Sequence, residues 1–321
     1  MIALALAALL SASPVQDAPT QATPTTEDTA VRLEDVEVTG RSLESMIDNF
    51  VVSVAASNPN RSLARWRNAV CVGAVNLQPD VAHHLVDRVS TIAGDIGLTP
   101  GAPGCTPNVL ILATDDASGL SQVLVQQHRR ALRMGGTGTD RGRTALHDFQ
   151  MSDRPVRWWQ VSMPVDDQTG ALATRLPGNC RAPCGKTTPG DESSHFFAPI
   201  IAVSSASRLS TQIVDDLIKT FVVVDVNHLN SITADQLADY IAMITFAQID
   251  PQADTRGYAT ILNVFEEPDS VSSLTEWDKA YLTGLYNTVR TRKNLNSART
   301  EVASSIRRAH ERLRAENPSQ D

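Results

Sequence analysis

The stretch Phe221-Val222-Val223-Val224-Asp225-Val226-Asn227-His228-Leu229-Asn230-Ser231-Ile232-Thr233-Ala234-Asp235-Gln236-Leu237-Ala238-Asp239-Tyr240-Ile241 decides the fold class. Phe221 to Val226 is a short apolar run that reads as a strand. Thr233 and Gln236, three apart, form a capping box that starts a helix. Leu237, Tyr240, Ile241 and Ile244 then fall at helical spacing and give that helix a buried face. Asp235 and Asp239 are four apart and share a side of the same helix. The spacing predicts a solvated face for them, outside the core. The sharper reading makes them a weak calcium or magnesium site, or a groove-facing pair that holds a basic peptide.

Upstream, the chain alternates strand and helix. Val70 to Leu77 reads as a strand, Asp80 to Ile96 as a helix carrying Val81, Leu85, Val89 and Ile92, and Gly97 as its stop. Val109 to Ala113 is a second strand, after which Asp116 or Ser118 caps a helix with Leu120, Leu124, Val125 and Leu132. This spacing predicts parallel strands joined by a right-handed crossover. The glycine-rich break from Gly135 to Arg143 lacks the Lys followed by Ser or Thr that a phosphate loop needs and reads as a surface loop. Val156 to Met163 is a strand in which Trp158 and Trp159 point to opposite faces, one to the core and the other free to line a groove. Phe196 to Val203 is a further strand, and the long polar loop from Pro164 to Ser194 is of the kind that carries function or lacks order.

Downstream, Asp250-Pro251 ends the decisive helix. Thr260-Ile261-Leu262-Asn263-Val264-Phe265 follows, and Leu274-Thr275-Glu276-Trp277-Asp278 opens a second capped helix with Trp277, Tyr281, Leu282 and Leu285 on its apolar side. A terminal helix spans about 297–316, capped by Ser297, with Val302, Ile306, Ala309 and Leu313 as a narrow stripe that docks on its own domain. The order over about 220–290 resembles the C-terminal half of the metzincin zinc peptidases, the matrixin-like ones in particular. In that family a zinc-binding helix is followed by a methionine-containing turn and a helix opening on Leu-[Ser/Thr]-x-x-Asp. Leu274-Thr275-Glu276-Trp277-Asp278 and Leu285-Tyr286 match the last element, and Ile261-Leu262-Asn263 stands at the turn. The same region is similar to a family of bacterial secreted proteins of unknown function.

The resemblance implies a peptidase-like groove whose zinc-site positions are degenerate. Asp235 and Asp239 stand at the first two histidines, Gln236 at the catalytic glutamate, Ala242 at the glycine and Thr245 at the third histidine. Catalytic zinc needs three imidazoles and a carboxylate that takes a proton from the bound water. Gln236 cannot accept that proton, so zinc proteolysis is not supported, and no catalytic residue, metal or cofactor is assigned. The floor of the implied cleft is Asp235, Gln236 and Asp239, with the preceding strand along one edge, open to strand addition by an extended peptide.

Ile2 to Leu10 followed by Ser11, Ala12 and Ser13 reads as the apolar core and cleavage zone of a secretory signal over 1–13, although a positive start is missing. Pro14 to Ala30, rich in Pro, Thr, Ala and Gln, reads as a disordered leader. Order begins near Val31: Val31, Leu33, Val36 and Val38 suggest an extended piece, and Leu43, Met46, Ile47, Phe50 and Val51 a helix clamped on the body. No later segment is apolar enough to span a bilayer. The net charge of -8 argues against nucleic acid as a partner. Four cysteines agree with an oxidising compartment. The preferred pairing joins Cys71 to Cys105 and Cys180 to Cys184, three connectivities being open. A zinc site on Cys180, Cys184 and His195 is the rival.

The expected architecture is α/β: a single domain over 31–321 with a mixed sheet, flanking helices and a metzincin-like helical half at the C-terminus. The leading functional expectation is an exported, non-catalytic protein whose groove holds a peptide or an envelope protein. One alternative is a hydrolase with an unrecognised site around Trp158, Trp159, the Cys180–Cys184 loop and His195. The other is a structural factor of the cell envelope.

Overall fold

The apolar run at Phe221 becomes the inner strand of a mixed sheet. In the computed structural model, which describes residues 42–57, 61–132, 141–174, 201, 210–229, 232–291 and 295–316, a short pair β1 (Ala69–Val70) and β3 (Thr99–Pro100) adjoins the main sheet. That sheet has four strands: β2 (Val72–Val75), β4 (Val109–Thr114), β5 (Val156–Asp166) and β6 (Ile213–Asp225), in the order β2-β4-β6-β5. The first three in that order are parallel, and β5 runs antiparallel to β6. The expected signal segment and leader, Val31 to Val38, Cys180, Cys184, His195 and most of Phe196 to Val203 lie outside the described residues.

Helices cover both faces, so the strands are apolar on both. Val222 and Val224 of β6 join the larger core with Val109, Ile111, Val156 and Trp158. Phe221 and Val223 turn to a smaller core with Trp159, Val161, Phe149 and Leu132. The smaller layer consists of α3 (Ala117–Gln127), α4 (Arg129–Leu132) and α5 (Gly142–Met151). The larger one holds α2 (Pro79–Asp95), α6 (Ala234–Phe246) and α7 (Glu276–Tyr286), with α1 (Leu43–Val54) and α8 (Leu295–Glu316) outside them. The described residues all belong to one compact unit, Arg41–Asp321.

The local signals act as their chemistry requires. Asp116 caps α3 by accepting from the Gly119 amide, and Gly97 leaves α2 at a φ of 86°. Thr233 with Gln236, and Thr275 with Asp278, are complete capping boxes. Ile47, Phe50 and Val51 of α1 are buried, and Val302, Ile306 and Ala309 dock α8 on α7 and α1. Gly284 permits that docking, because a Cβ there would lie 2.5 Å from the Ile306 backbone.

Several boundaries differ from the sequence reading: β5 runs on to Asp166 into the expected loop, α5 starts at Gly142 within the expected glycine-rich loop, and α8 starts at Leu295, ahead of Ser297. α6 ends at Phe246, before Asp250-Pro251, and the chain then runs extended so that Ala56 donates to the Gln248 carbonyl and Asp250 to that of Val54. Strand β6 begins at Ile213, eight residues ahead of its apolar run. Asp215 and Asp216 hide this extension in the sequence; they are buried there because Arg61, Arg67 and Arg290 pair with them.

Candidate functional site

The degenerate zinc-site positions do not converge on a common point. Asp235 is exposed and faces His84 of α2, Oδ1 to Nε2 at 2.9 Å. Asp239 is fully buried, contrary to the expected solvated face, and Arg88 of α2 grips it through Nε at 2.6 Å and Nη2 at 2.9 Å. Its Oδ2 also accepts the Leu274 amide at 2.7 Å. His84 and Arg88 are four apart, as are Asp235 and Asp239, so the two helices meet through two rungs at matching spacing. Arg88 is held more firmly protonated, first by its hydrogen bond to Asp239.

Gln236 is equally occupied. Its Oε1 accepts the Thr233 amide at 2.7 Å, and its Nε2 donates to the carbonyls of Pro268 at 2.7 Å and Val271 at 2.8 Å. Thr245 is buried with its Oγ1 unpartnered, and its carbonyl accepts Trp66 Nε1. These side chains brace α6 against α2 and the segment from Pro268 to Leu274. None of Asp235, Gln236, Asp239 and Thr245 lines the three clefts described below. The preceding strand offers no free edge either, since Thr220 to Asp225 pairs with β4 on one side while Val156 to Gln160 of β5 pairs on the other. Among the described residues no group of three or more His, Cys, Asp or Glu is placed to hold a metal ion.

The turn Ile261–Asn263 does lie against α6, with Ile261 and Asn263 buried. Asp278 of α7 holds it in place. Oδ1 accepts the Thr260 hydroxyl at 2.5 Å, and Oδ2 accepts the Ile261 amide at 2.8 Å and the Thr275 amide at 3.0 Å. Burial nonetheless pushes the Asp278 carboxyl up to about 6, because desolvation outweighs those bonds.

The open surface lies on the next face of α6. A cleft of about 560 Å³ is formed by the start of β5, Tyr240 and the segment that follows α6. Trp158, Tyr240 and Phe265 make its aromatic side; Tyr240 meets Phe265 edge to face at 4.9 Å and Trp158 at 6.2 Å. Burial, and next the charge of Glu266, raise the Tyr240 phenol, so it is a neutral group at this rim. Arg154, Asp250 and Glu266 supply charge around the opening. Arg154 pairs with Asp148 and Asp250 with Arg141, whereas Glu266, exposed, has no ion-pair partner among the described residues.

A second, smaller cleft adjoins the first. The two share Arg154, Trp158, Ile249 and Pro251, and the second continues past Trp159 and Gln160 to Phe149 of α5. Trp158 and Trp159 do face opposite sides of β5, and each is largely core, Trp159 donating to the Leu132 carbonyl and Trp158 to that of Ile249. Neither histidine nor cysteine occurs among the described lining residues. Sequence reasoning reached Trp158 but missed Tyr240 as a site residue. In the sequence Tyr240 stands at helical spacing with Leu237, Ile241 and Ile244, and so it read as core.

The pairing of Cys71 with Cys105 is present, closing the segment from β2 through α2. Within the described residues no helix is long and apolar enough to cross a membrane. Comparison with known protein families, with characterised proteins and with solved structures found no match to this chain.

Proposed function

We propose that the protein is an exported, non-catalytic binding protein whose groove beside β5 takes a short peptide segment. The preferred segment carries an aromatic or aliphatic side chain next to a lysine or arginine. The observation that carries this reading is the cleft of Trp158, Tyr240 and Phe265 with the exposed Glu266, without an ion-pair partner among the described residues, at its rim. Aromatic walls recognise an apolar side chain, and a rim carboxylate selects the neighbouring cation. The net charge of -8 adds long-range attraction for such a segment. Export is supported by the apolar run Ile2 to Leu10 and by the Cys71–Cys105 disulfide.

The peptidase likeness enters as ancestry of the scaffold. Support for it comes from the order β6, α6, buried turn, α7, and from Asp278 tying the Leu274–Asp278 opening to that turn. In this reading the positions of the zinc ligands have become braces, and recognition has moved to the Tyr240 face. The test is fluorescence anisotropy with a labelled tetrapeptide library varied at one apolar and one basic position. Micromolar binding of Phe- or Leu-containing basic members is expected, weakened at least tenfold by Glu266→Lys and by Phe265→Ser. Absence of binding across the library would overturn the proposal, as would chelator-sensitive cleavage of those peptides by pure protein.

A further inference from the structure

On the far side of the larger layer, between the end of α7 and α8, lies a second kind of recess, open to solvent. One part of its wall is guanidinium: Arg65, Arg290 and Arg299. Another part is aliphatic: Leu63, Leu285 and Val302. The cations there are short of acceptors. Asp216 is shared by Arg67 and Arg290, and Asp215 is taken by Arg61. Among the described residues Arg65 donates to the carbonyls of Leu285 and Tyr286, both at 2.6 Å, with its guanidinium carbon 5.8 Å from the centre of the Tyr286 ring. Arg299 has no ion-pair partner among the described residues, and the Nε atoms of Arg290 and Arg299 are buried donors without an acceptor. Arg290 itself is nine-tenths buried.

Buried donors are almost always satisfied in folded proteins, and guanidiniums drawn together without matching carboxylates repel one another. The strain registers on Arg65, which burial, and then the charge of Arg290, push down to about 10. An anion supplied from outside relieves that repulsion. The aliphatic wall decides what kind of anion. A small, strongly hydrated ion leaves Leu63, Leu285 and Val302 uncovered, whereas a carboxylate on an alkyl chain covers them and presents two oxygens to the planar guanidinium forks.

We propose that this recess binds a medium-chain aliphatic carboxylate, its head between Arg65, Arg290 and Arg299 and its chain along Leu63, Leu285 and Val302. The site is separate from the groove beside β5 and does not depend on a peptide being bound there.

The probe is octanoate, titrated calorimetrically into the oxidised protein, with octanol as the chain without charge and acetate as the charge without chain. One-to-one binding of octanoate with a Kd of about 1 mM or tighter is expected, and at least tenfold weaker binding of both controls. Arg299→Gln removes a cation that has no ion-pair partner among the described residues, and Val289→Asp sets a negative charge at the exposed mouth of the recess. Each variant should keep the far-UV spectrum and thermal midpoint and weaken octanoate at least tenfold. Equal binding of octanol or of acetate, unchanged affinity in both variants, or no binding of octanoate would each overturn the proposal.

Discussion

At the scale of the residue, Asp239 and Asp235 separate two meanings of one spacing. Both stand on the side of α6 that meets α2, yet Asp239 is fully buried while the Asp235 side chain is 63% exposed. Burial turns a carboxylate from a solubilising group into one that must be paired, and Arg88 and the Leu274 amide complete it. Removing the carboxylate strands a cation and an amide. Asp239→Ala is therefore expected to lose about 3–5 kcal/mol in urea unfolding. Asp235→Ala, which loses an exposed pair with His84, should lose no more than about 1 kcal/mol. Equal losses would show that the two rungs are equivalent and that Asp239 does not brace the core. The sequence held one clue, the apolar surround of Leu237, Ala238, Ile241, Ala242 and Met243, which leaves almost no solvated face for an acid.

At the scale of the element, the turn Ile261–Asn263 and the start of α7 are joined through one carboxyl, that of Asp278. Its ordinary value of 3.8 is raised to about 6 in the folded protein. Folded chains thus hold this proton over a range in which unfolded chains have released it. By linkage the Asp278 contribution to stability is greatest below 3.8 and falls as the pH rises through about 6. Asp278→Asn retains an acceptor for the Ile261 and Thr275 amides and a donor toward Thr260, without a charge to desolvate. Chemical unfolding between pH 4 and 7 should show a flatter stability profile for Asp278→Asn than for the wild type. A steeper or unchanged profile would remove Asp278 as the source of the slope. The capping function was legible from Thr275 and Asp278 alone, because a capping box is local. The link to Thr260 and Ile261 was not, because it depends on how α7 docks.

At the scale of the whole molecule, three layers are held by apolar contacts across the sheet, and the disulfide closes one edge. Cys71 and Cys105 are 34 residues apart and enclose β2, α2 and β3. Cys71→Ala with Cys105→Ala should lower stability by about 2–5 kcal/mol, read as a lower thermal midpoint that reducing agent no longer shifts. An undiminished midpoint would mean that the apolar layers alone fix this edge. The sequence by itself determined the elements: the apolar run of β6, the capping boxes at Thr233 and Thr275, the helices on either side of β4, and the α/β class that follows. These are short-range properties, set by periodicity and by hydrogen bonds between residues three or four apart. Only the tertiary structure decided what the polar residues do. Arg88 meets Asp239 across 151 positions, Arg67 meets Asp216 across 149, and Tyr240 comes beside Trp158 and Phe265 by packing of separate elements. The free energy of such pairs depends on burial and distance, which a linear chain does not contain until its layers are stacked.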